Sequence, residues 1–253
     1  MPRADVLLVS RGLAVSRTAA QHLIDTGRVY HGPANQRHRV GKPSAKLDDD
    51  VELYVEPHAD DRFVSRGGLK LAGALAEVGL DVLGWRALDV GMSTGGFTDC
   101  LLQAGAARVV GIDVGHDQLH PRLRADDRVR WFEGVNARAP ELDSLRQAND
   151  GALFDLIVGD VSFISLTLTL PPLLALLRPG GHILHLVKPQ FEVGREGIGR
   201  GGLVKDPSRY LDVRMRMESM AVENHLNWLN WLDSPITGGD GNREFFMHAY
   251  KPL

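Results

Sequence analysis

The chain has 253 residues, enough for one large domain or two unequal ones, and its 29 Lys and Arg against 32 Asp and Glu give a net charge of -3. This balance argues against a protein that binds nucleic acid over its whole surface. The single cysteine, Cys100, excludes a disulfide scaffold or a multi-cysteine zinc site, and it indicates a reducing, cytoplasmic setting. No apolar run reaches the roughly 18 residues of a membrane-spanning helix, and the run over residues 6–9 is too short for a signal-peptide core.

The first 56 residues predict a small module of two helices and a short sheet. An apolar run ends at Gly12, and Ser16 is placed to cap a second helix that stops at Gly27. Residues 28–30 and 51–55 then have the apolar, alternating pattern of strands. We therefore expect an independent domain over residues 1–56.

A polar segment over residues 57–65 lacks periodicity and is predicted to be a linker to a larger domain over residues 66–253. Short apolar runs separated by helix-length segments follow, an alternation typical of a parallel sheet. These runs are residues 86–90, 108–113, 153–158 and 182–187. Two further runs, 228–232 and 243–250, are joined by a turn-rich segment without a helix, which predicts an antiparallel hairpin.

A glycine-rich turn follows the first apolar run and enters a helix. Its glycines let backbone amides approach a ligand closely, and Asp113, 24 residues beyond Asp89, stands where a carboxylate accepts hydrogen bonds from ribose hydroxyls. Ser93 occupies the position where a dinucleotide turn needs glycine against a pyrophosphate, which favours S-adenosylmethionine; an ordinary strand-to-helix connection is the alternative. The predicted cofactor contacts are Asp89, Gly91, Ser93, Thr94, Gly95, Gly96, Phe97, Asp113 and Asp160.

Opposite charges end the next two apolar runs, Asp160 after one and Lys188 after the other. A lysine that ends a buried strand is costly unless it is paired or partly solvated, so these two residues predict a functional site. The alternatives are that Lys188 reaches solvent beside Glu192 and that Asp160 caps a helix.

These motifs together resemble the TlyA family, whose members join an FtsJ-like ribose methyltransferase domain to a small N-terminal RNA-binding domain. The large-domain resemblance rests on residues 89–99, 159–163 and 188–192. The small domain resembles a module shared with small-subunit ribosomal protein four and pseudouridine synthases, through Arg3, Asp5, Gly12, Ser16, Arg17, Ala20, Ile24, Gly27 and Gly32. Ala4, where leucine is usual, and His31, where asparagine often precedes the glycine, depart from the pattern. The resemblance implies an α/β, Rossmann-like, S-adenosylmethionine-dependent methyltransferase domain preceded by a small α+β domain.

The resemblance also implies a catalytic tetrad of Lys70, Asp160, Lys188 and Glu244 for methylation of a ribose 2'-hydroxyl. A ribose hydroxyl is a poor nucleophile, so a nearby base or positive charge must favour its alkoxide while the methyl donor is held in line. Two ammonium groups close together favour loss of a proton from one of them, which suits Lys188 as base or alkoxide stabiliser. Asp160 and Glu244 would then orient the lysines.

Family members methylate ribosomal RNA, some of them at a cytidine of both subunits, so ribosomal RNA or a ribosomal subunit is the expected partner. Basic residues of the small domain and of the glycine-rich segment 194–202, interpreted as a mobile clamp, are candidate phosphate contacts, with a solvated surface as the alternative for each. They are Arg3, Arg11, Arg17, Arg28, Lys42, Arg195 and Arg200. No metal site is expected, because His116 and His120 lack an evident third ligand.

Two other functions remain as alternatives. One is an RNA-binding ribosome-assembly protein with a residual methyltransferase fold, and the other is a membrane-lytic protein, since some family members are called haemolysins. Trp228 and Trp231 fit packing on a helix better than base stacking. The sequence leaves the modified nucleotide, the subunit and the oligomeric state open.

Overall fold

The chain divides between Arg62 and Phe63 into two units, within the segment predicted to be a linker. The computed structural model describes residues 1–14, 16–239 and 241–253, apart from the side chains of Ala59 and Asp60. Part of the predicted linker, Ala59–Arg62, forms a 3₁₀ helix. Asp240, in the predicted turn before the last strand, lies outside the described residues.

The small unit consists of two helices and a three-stranded antiparallel sheet. Helix α1 and helix α2 bury Leu8, Ala20 and Ile24 in one apolar cluster with the first strand. The Ser16 side chain accepts a hydrogen bond from the Ala19 amide, which confirms the predicted cap of α2. The elements are α1 (Ala4–Ser10), α2 (Arg17–Asp25), β1 (Val29–His31), β2 (His38–Arg39) and β3 (Leu53–Val55), in sheet order β2-β1-β3.

The large unit is built on a seven-stranded sheet in the order β6-β5-β4-β7-β8-β10-β9. Its first five strands in this order are parallel, and β10 runs antiparallel to both of its neighbours. The strands are β4 (Arg86–Val90), β5 (Arg108–Ile112), β6 (Val129–Phe132), β7 (Phe154–Gly159), β8 (Leu177–Val187), β9 (Asn227–Asp233) and β10 (Phe245–Tyr250). The predicted hairpin and the predicted parallel strands are confirmed.

Helices cover both faces of this sheet, which explains why its central strands are nearly continuous apolar runs. One face packs on α3 and α4, and the other on α8 with shorter helices. The helices are α3 (Gly67–Val78), α4 (Gly96–Gln103), α5 (Pro121–Arg124), α6 (Leu142–Ala148), α7 (Leu166–Thr169) and α8 (Arg209–Glu223). Within the described residues, no helix has both the length and the apolar character needed to cross a bilayer.

Two short strands were not predicted from the sequence. Strand β2 has only two residues, and β6 is an edge strand whose pattern is interrupted by the exposed Arg130. An edge strand pairs on one side only, so it does not need the continuous apolar run that marks a central parallel strand. The strand predicted over residues 51–55 is also shorter, since pairing begins at Leu53.

Replacing the cap of α2 should weaken the small unit locally. We expect Ser16→Ala to lower the free energy of unfolding by about 1 kcal/mol, because the Ala19 amide loses its acceptor. Hydrogen–deuterium exchange of the peptide over residues 17–25 measures this change. Faster exchange should be confined to α2, and unchanged exchange there would contradict a capping role.

Candidate active site

The carboxyl ends of the parallel strands surround a cavity of about 480 Å³, a size typical of small-ligand sites. Its walls come from the segments that follow β4, β5, β6 and β7. The lining residues are Gly91, Ser93, Ile112, Asp113, Val114, Gln118, Val135, Asn136, Ala137, Asp160, Val161, Ser162, Phe163, Ile164 and Thr169.

The glycine-rich turn after β4 forms the floor of this cavity in a conformation that other residues would not adopt easily. Gly91 has φ of 78°, and a Cβ there would come within 2.9 Å of the Asp160 carbonyl oxygen. Gly95 has φ of 95°, and a Cβ there would collide with Leu123. Ser93 is itself left-handed, with φ of 48°. The turn thus keeps the backbone close to whatever occupies the cavity.

Asp113 lies in the cavity wall directly after β5, the position at which a ribose contact was expected. Its carboxylate accepts hydrogen bonds from the amides of Ser93 at 2.8 Å and Gly115 at 2.7 Å, which fix its position. Apolar side chains including Val114 and Val135 line the same cavity. The carboxylate can accept hydrogen bonds from ribose hydroxyls, and the apolar wall beside it can pack against a flat base. This combination fits an adenosine-containing cofactor.

Asp89 does not line the cavity. It is the penultimate residue of β4 and is fully buried, and its Oδ2 atom accepts a hydrogen bond from the Thr98 hydroxyl at 2.7 Å. Its Oδ1 atom is buried without a hydrogen-bond partner among the described residues. Burial raises the pKa of Asp89 to about 7, and the hydrogen bond from Thr98 opposes this shift. Asp89 therefore supports the turn from beneath.

A smaller cavity of about 200 Å³ adjoins the first one and shares Gly91, Ser93, Asp160 and Ser162 with it. Predicted residues Thr94, Gly96 and Phe97 line this second cavity, and so does Lys188. A ligand in the large cavity would therefore extend toward Lys188.

The four residues of the predicted tetrad come together beside the second cavity. Lys70 from the first turn of α3 places its Nζ atom 2.6 Å from Glu244 Oε2 and 3.7 Å from Asp160 Oδ2. The Lys188 Nζ atom lies 2.5 Å from Asp160 Oδ1 and donates a hydrogen bond to Ser162 Oγ at 2.8 Å. The charges alternate along the chain of contacts Glu244–Lys70–Asp160–Lys188, so like charges are not adjacent.

Burial differs along this row of charges. The Glu244 side chain is 3% exposed, the Lys70 side chain 10%, the Lys188 side chain 12% and the Asp160 side chain 22%. Burial raises the pKa of Glu244, and the neighbouring Lys70 partly offsets the shift. Asp160 and Lys188 line the second cavity, whereas Lys70 and Glu244 do not and lie behind them. The alternative was that Lys188 reaches solvent beside Glu192; instead its side chain is 12% exposed and its Nζ atom contacts Asp160.

Comparison with known proteins places this chain in a family. Residues 63–251 match the model of the FtsJ-like methyltransferase family. YqxC of Bacillus subtilis, provisionally described as an rRNA methyltransferase, is 46% identical over 251 residues, covering 99% of this chain and 86% of that protein. The 16S/23S rRNA (cytidine-2'-O)-methyltransferase TlyA of Mycobacterium tuberculosis is 42% identical over 253 residues, covering 97% of this chain and 88% of that protein. The solved structure of a Streptococcus thermophilus protein, provisionally described as a hemolysin, matches with a TM-score of 0.77 and 42% identity. The match covers 99% of this chain and 88% of that one.

The chain belongs to the TlyA family of FtsJ-like methyltransferases. The predicted family and the α/β, Rossmann-like class of the large unit are thereby confirmed.

Several residues in the cavity walls of this TlyA-family chain were missed by sequence reasoning. Asn136 follows β6, the strand that was not predicted, so no strand end drew attention to it. Gln118 lies in a loop, where its Oε1 atom accepts a hydrogen bond from Ser93 Oγ at 2.9 Å. Phe163 is 90% exposed at the cavity with φ of 65°, a strained conformation for a bulky residue.

The candidate phosphate contacts of the small unit have different surroundings. Arg3 and Arg17 both pair with the buried Asp5, at 2.8 and 3.4 Å, yet their side chains are 44% and 59% exposed. These contacts hold the pKa of Asp5 well below its usual range. Arg11 bonds to the Val51 carbonyl oxygen. The buried carboxylate thus orients two guanidinium groups that remain accessible.

The remaining candidates are exposed or paired locally. Lys42 is exposed in the small unit, and Arg28 binds Asp61. Arg195 and Arg200 are exposed on the glycine-rich segment. That segment is folded, because Ile198 pairs with Val204.

The aromatic and histidine side chains set apart in the sequence also have structural contacts. The rings of Trp228 and Trp231 stack at 6.1 Å and pack on the core beneath α8, which favours the packing interpretation. His120 caps α5 through its Nδ1 atom, which accepts a hydrogen bond from the Arg122 amide.

The buried Asp89 predicts a pH dependence of stability. Because its pKa is about 7 in the folded chain and lower in the unfolded chain, unfolding releases a proton between about pH 4 and 7, so its contribution to stability falls as pH rises through that interval. Asp89→Asn keeps an oxygen for Thr98 and removes the ionisation. We expect the stability of the variant relative to the native protein to increase from pH 5 to pH 7 and then level off, as measured by urea denaturation. The exposed Asp143→Asn is the matched control and should not reproduce this trend; a pH-independent difference for Asp89→Asn would refute the prediction.

Proposed function

We propose that this chain transfers a methyl group from S-adenosylmethionine to the 2'-hydroxyl of a cytidine ribose in ribosomal RNA. The observation that carries the proposal is the row of alternating charges from Glu244 to Lys188 beside a cavity that fits an adenosine-containing cofactor. The relative from Mycobacterium tuberculosis is named for the same reaction on 16S and 23S rRNA.

The residues present fit S-adenosylmethionine. Asp113 would hold the ribose hydroxyls, and Asn136 with the apolar wall residues would hold the adenine. Gly91 and Ser93 line both cavities, so they would lie along the part of the cofactor that leads toward Lys188. When bound, this cofactor supplies an electrophilic methyl group.

The tetrad would prepare the ribose oxygen for attack. Asp160 and Lys188 are the members that face the cavity, so this pair would accept the hydroxyl proton and offset the negative charge that develops on the oxygen. Lys70 and Glu244 lie behind them and would keep Asp160 fixed. An intact row of this kind is not expected in a ribosome-assembly protein that retains only the fold.

The substrate class is inferred from the relatives and from the small unit. The accessible basic residues there, including Arg17 and Lys42, would contact RNA phosphates and add affinity without much sequence selectivity. A ribosomal substrate would place the enzyme in the cytoplasm.

Removing Lys188 should strongly reduce turnover while cofactor binding persists. We expect Lys188→Ala to lower kcat by 10²–10⁴-fold, the usual contribution of a positioned acid or base, with the S-adenosylmethionine Kd changed by less than about threefold. The assay is methyl transfer to ribosomal subunits from a strain that lacks the modification, with the modified nucleotide mapped. The exposed Lys205→Ala should behave as the native protein, and native-like turnover in Lys188→Ala would exclude the proposed mechanism.

Removing two exposed charges of the small unit should weaken RNA binding electrostatically. For the double variant Arg17→Ala and Lys42→Ala we expect lower affinity and a slope of log K against log salt that is shallower by roughly 1 to 2. Arg3 still pairs with Asp5 in this variant, so the fold should persist. Arg209→Ala with Arg214→Ala removes the same charge from α8 and serves as control; equal losses in both double variants would mean that only net charge matters.

A further inference from the structure

Glu192 is a buried carboxylate that the proposed reaction does not use. Glu192 is 5% exposed, and its side chain forms no ion pair with any other described residue. Its Oε2 atom accepts a hydrogen bond from Ser165 Oγ at 2.6 Å, and its Oε1 atom accepts one from the Leu166 amide at 2.7 Å. Burial of a carboxyl group costs free energy unless hydrogen bonds such as these compensate for the lost solvation. The presence of a carboxyl group at this buried position therefore needs an explanation.

The two donors mark the end of the segment that carries much of the site. Residues 160–164 line the large cavity, and Ser165 caps the following helix α7. The segment begins where the Asp160 amide bonds to the Val90 carbonyl oxygen at 2.9 Å. Between these ends, the amides of residues 161–164 donate no backbone hydrogen bond among the described residues. The segment is therefore held mainly by side chains.

Two other side-chain contacts of the segment lead to the same neighbouring turn, residues 188–193, while Asp160 also contacts Lys70 of α3. Ser162 accepts its hydrogen bond from Lys188, and the Phe163 ring lies 5.1 Å from the Phe191 ring. Both of these contacts are partly open to solvent, whereas the Glu192 contact is buried. The Glu192 carbonyl oxygen also accepts a hydrogen bond from Arg216 of α8 at 2.6 Å, which ties the turn to the core.

We propose that Glu192 is a positioning residue that holds segment 160–165 against the Lys188 turn and so sets the geometry of Ser162 and Phe163 in the cavity wall beside Lys188. This role rests on the proposed function for its effect on turnover. The hydrogen bonds act at the far end of the segment, and a displacement of about 1 Å at the reacting groups is enough to cost about 10²-fold in rate. Burial raises the pKa of Glu192, and the bonds from Ser165 and Leu166 oppose that shift, in agreement with a carboxyl group retained for what it binds.

Four variants separate hydrogen-bond reach from charge. Glu192→Ala removes both acceptors, and Glu192→Asp keeps the charge on a side chain that is one methylene shorter. Glu192→Gln keeps the reach, because its amide can accept from Leu166 and donate to Ser165, whose hydroxyl has a second partner in Thr167 at 2.8 Å. Glu223→Ala, at the exposed end of α8, is the control.

We expect kcat on ribosomal subunits to fall 10- to 100-fold in Glu192→Ala and about 10-fold in Glu192→Asp, and to stay within threefold in Glu192→Gln and Glu223→Ala. The Kd for S-adenosylmethionine should rise in the Ala and Asp variants, because residues 160–164 line the large cavity, whereas the KM for subunits should change by less than about fivefold. Hydrogen–deuterium exchange should become faster over residues 165–170 in the Ala and Asp variants only, because the amides of Leu166, Leu168 and Leu170 are hydrogen-bonded there.

Three outcomes would overturn the proposal: turnover within threefold of native in both Ala and Asp variants, a Gln variant as defective as Ala, or unchanged exchange over residues 165–170. If Glu192→Ala fails to fold, the Asp and Gln variants decide. If the native protein does not methylate ribosomal subunits, the proposed function fails, whereas the exchange data still decide whether Glu192 positions the segment.

Discussion

The ion pair between Lys70 and Glu244 is the contact on which the geometry of the site depends. Both groups are nearly buried and 2.6 Å apart, and the two residues are separated by more than half the sequence. Removing one member of such a pair leaves an uncompensated buried charge, which typically costs 3–5 kcal/mol. The pair is useful because Lys70 keeps a second contact, at 3.7 Å, with Asp160. Asp160 in turn holds Lys188, so the buried pair fixes the charges that face the cavity.

The antiparallel strand β10 explains how Glu244 reaches this point. Ligands of a parallel sheet collect at the carboxyl ends of its strands, and Lys188 follows the carboxyl end of β8. Because β10 runs in the opposite direction, its amino-terminal residue Phe245 pairs with Val187, the last residue of β8. Glu244 therefore precedes a strand, and Lys188 follows one, at the same edge of the sheet. A further parallel strand in that place would have presented its carboxyl end instead.

The sequence predicted the parts of the site that depend on local pattern. Asp113, Asp160 and Lys188 follow apolar runs, and parallel strands bring such positions together whatever the helices between them do. Lys70 and Glu244 carry no comparable local signal, because one lies on a helix and the other before a hairpin strand, and only resemblance to the family joined them to the site. Asn136 was missed with β6, whose four residues at the sheet edge lack the apolar run of a central strand. The buried position of Asp89 also depends on how α4 packs, which its neighbours in sequence do not reveal.

Packing beneath Asp160 sets the position of this residue as firmly as its ion pairs do. Gly159 pairs with His185 across β7 and β8, and a Cβ on Gly159 would come within 2.3 Å of His185 Nε2 and 2.8 Å of the Val90 carbonyl oxygen. Glycine is therefore required there, and Asp160 is the next residue along the chain. Burial lowers the pKa of His185 to about 4, so its ring is neutral near pH 7 and adds no positive charge near Lys188. The strand ends thus fix where the carboxylate stands, and the alternating charges above fix which way it points.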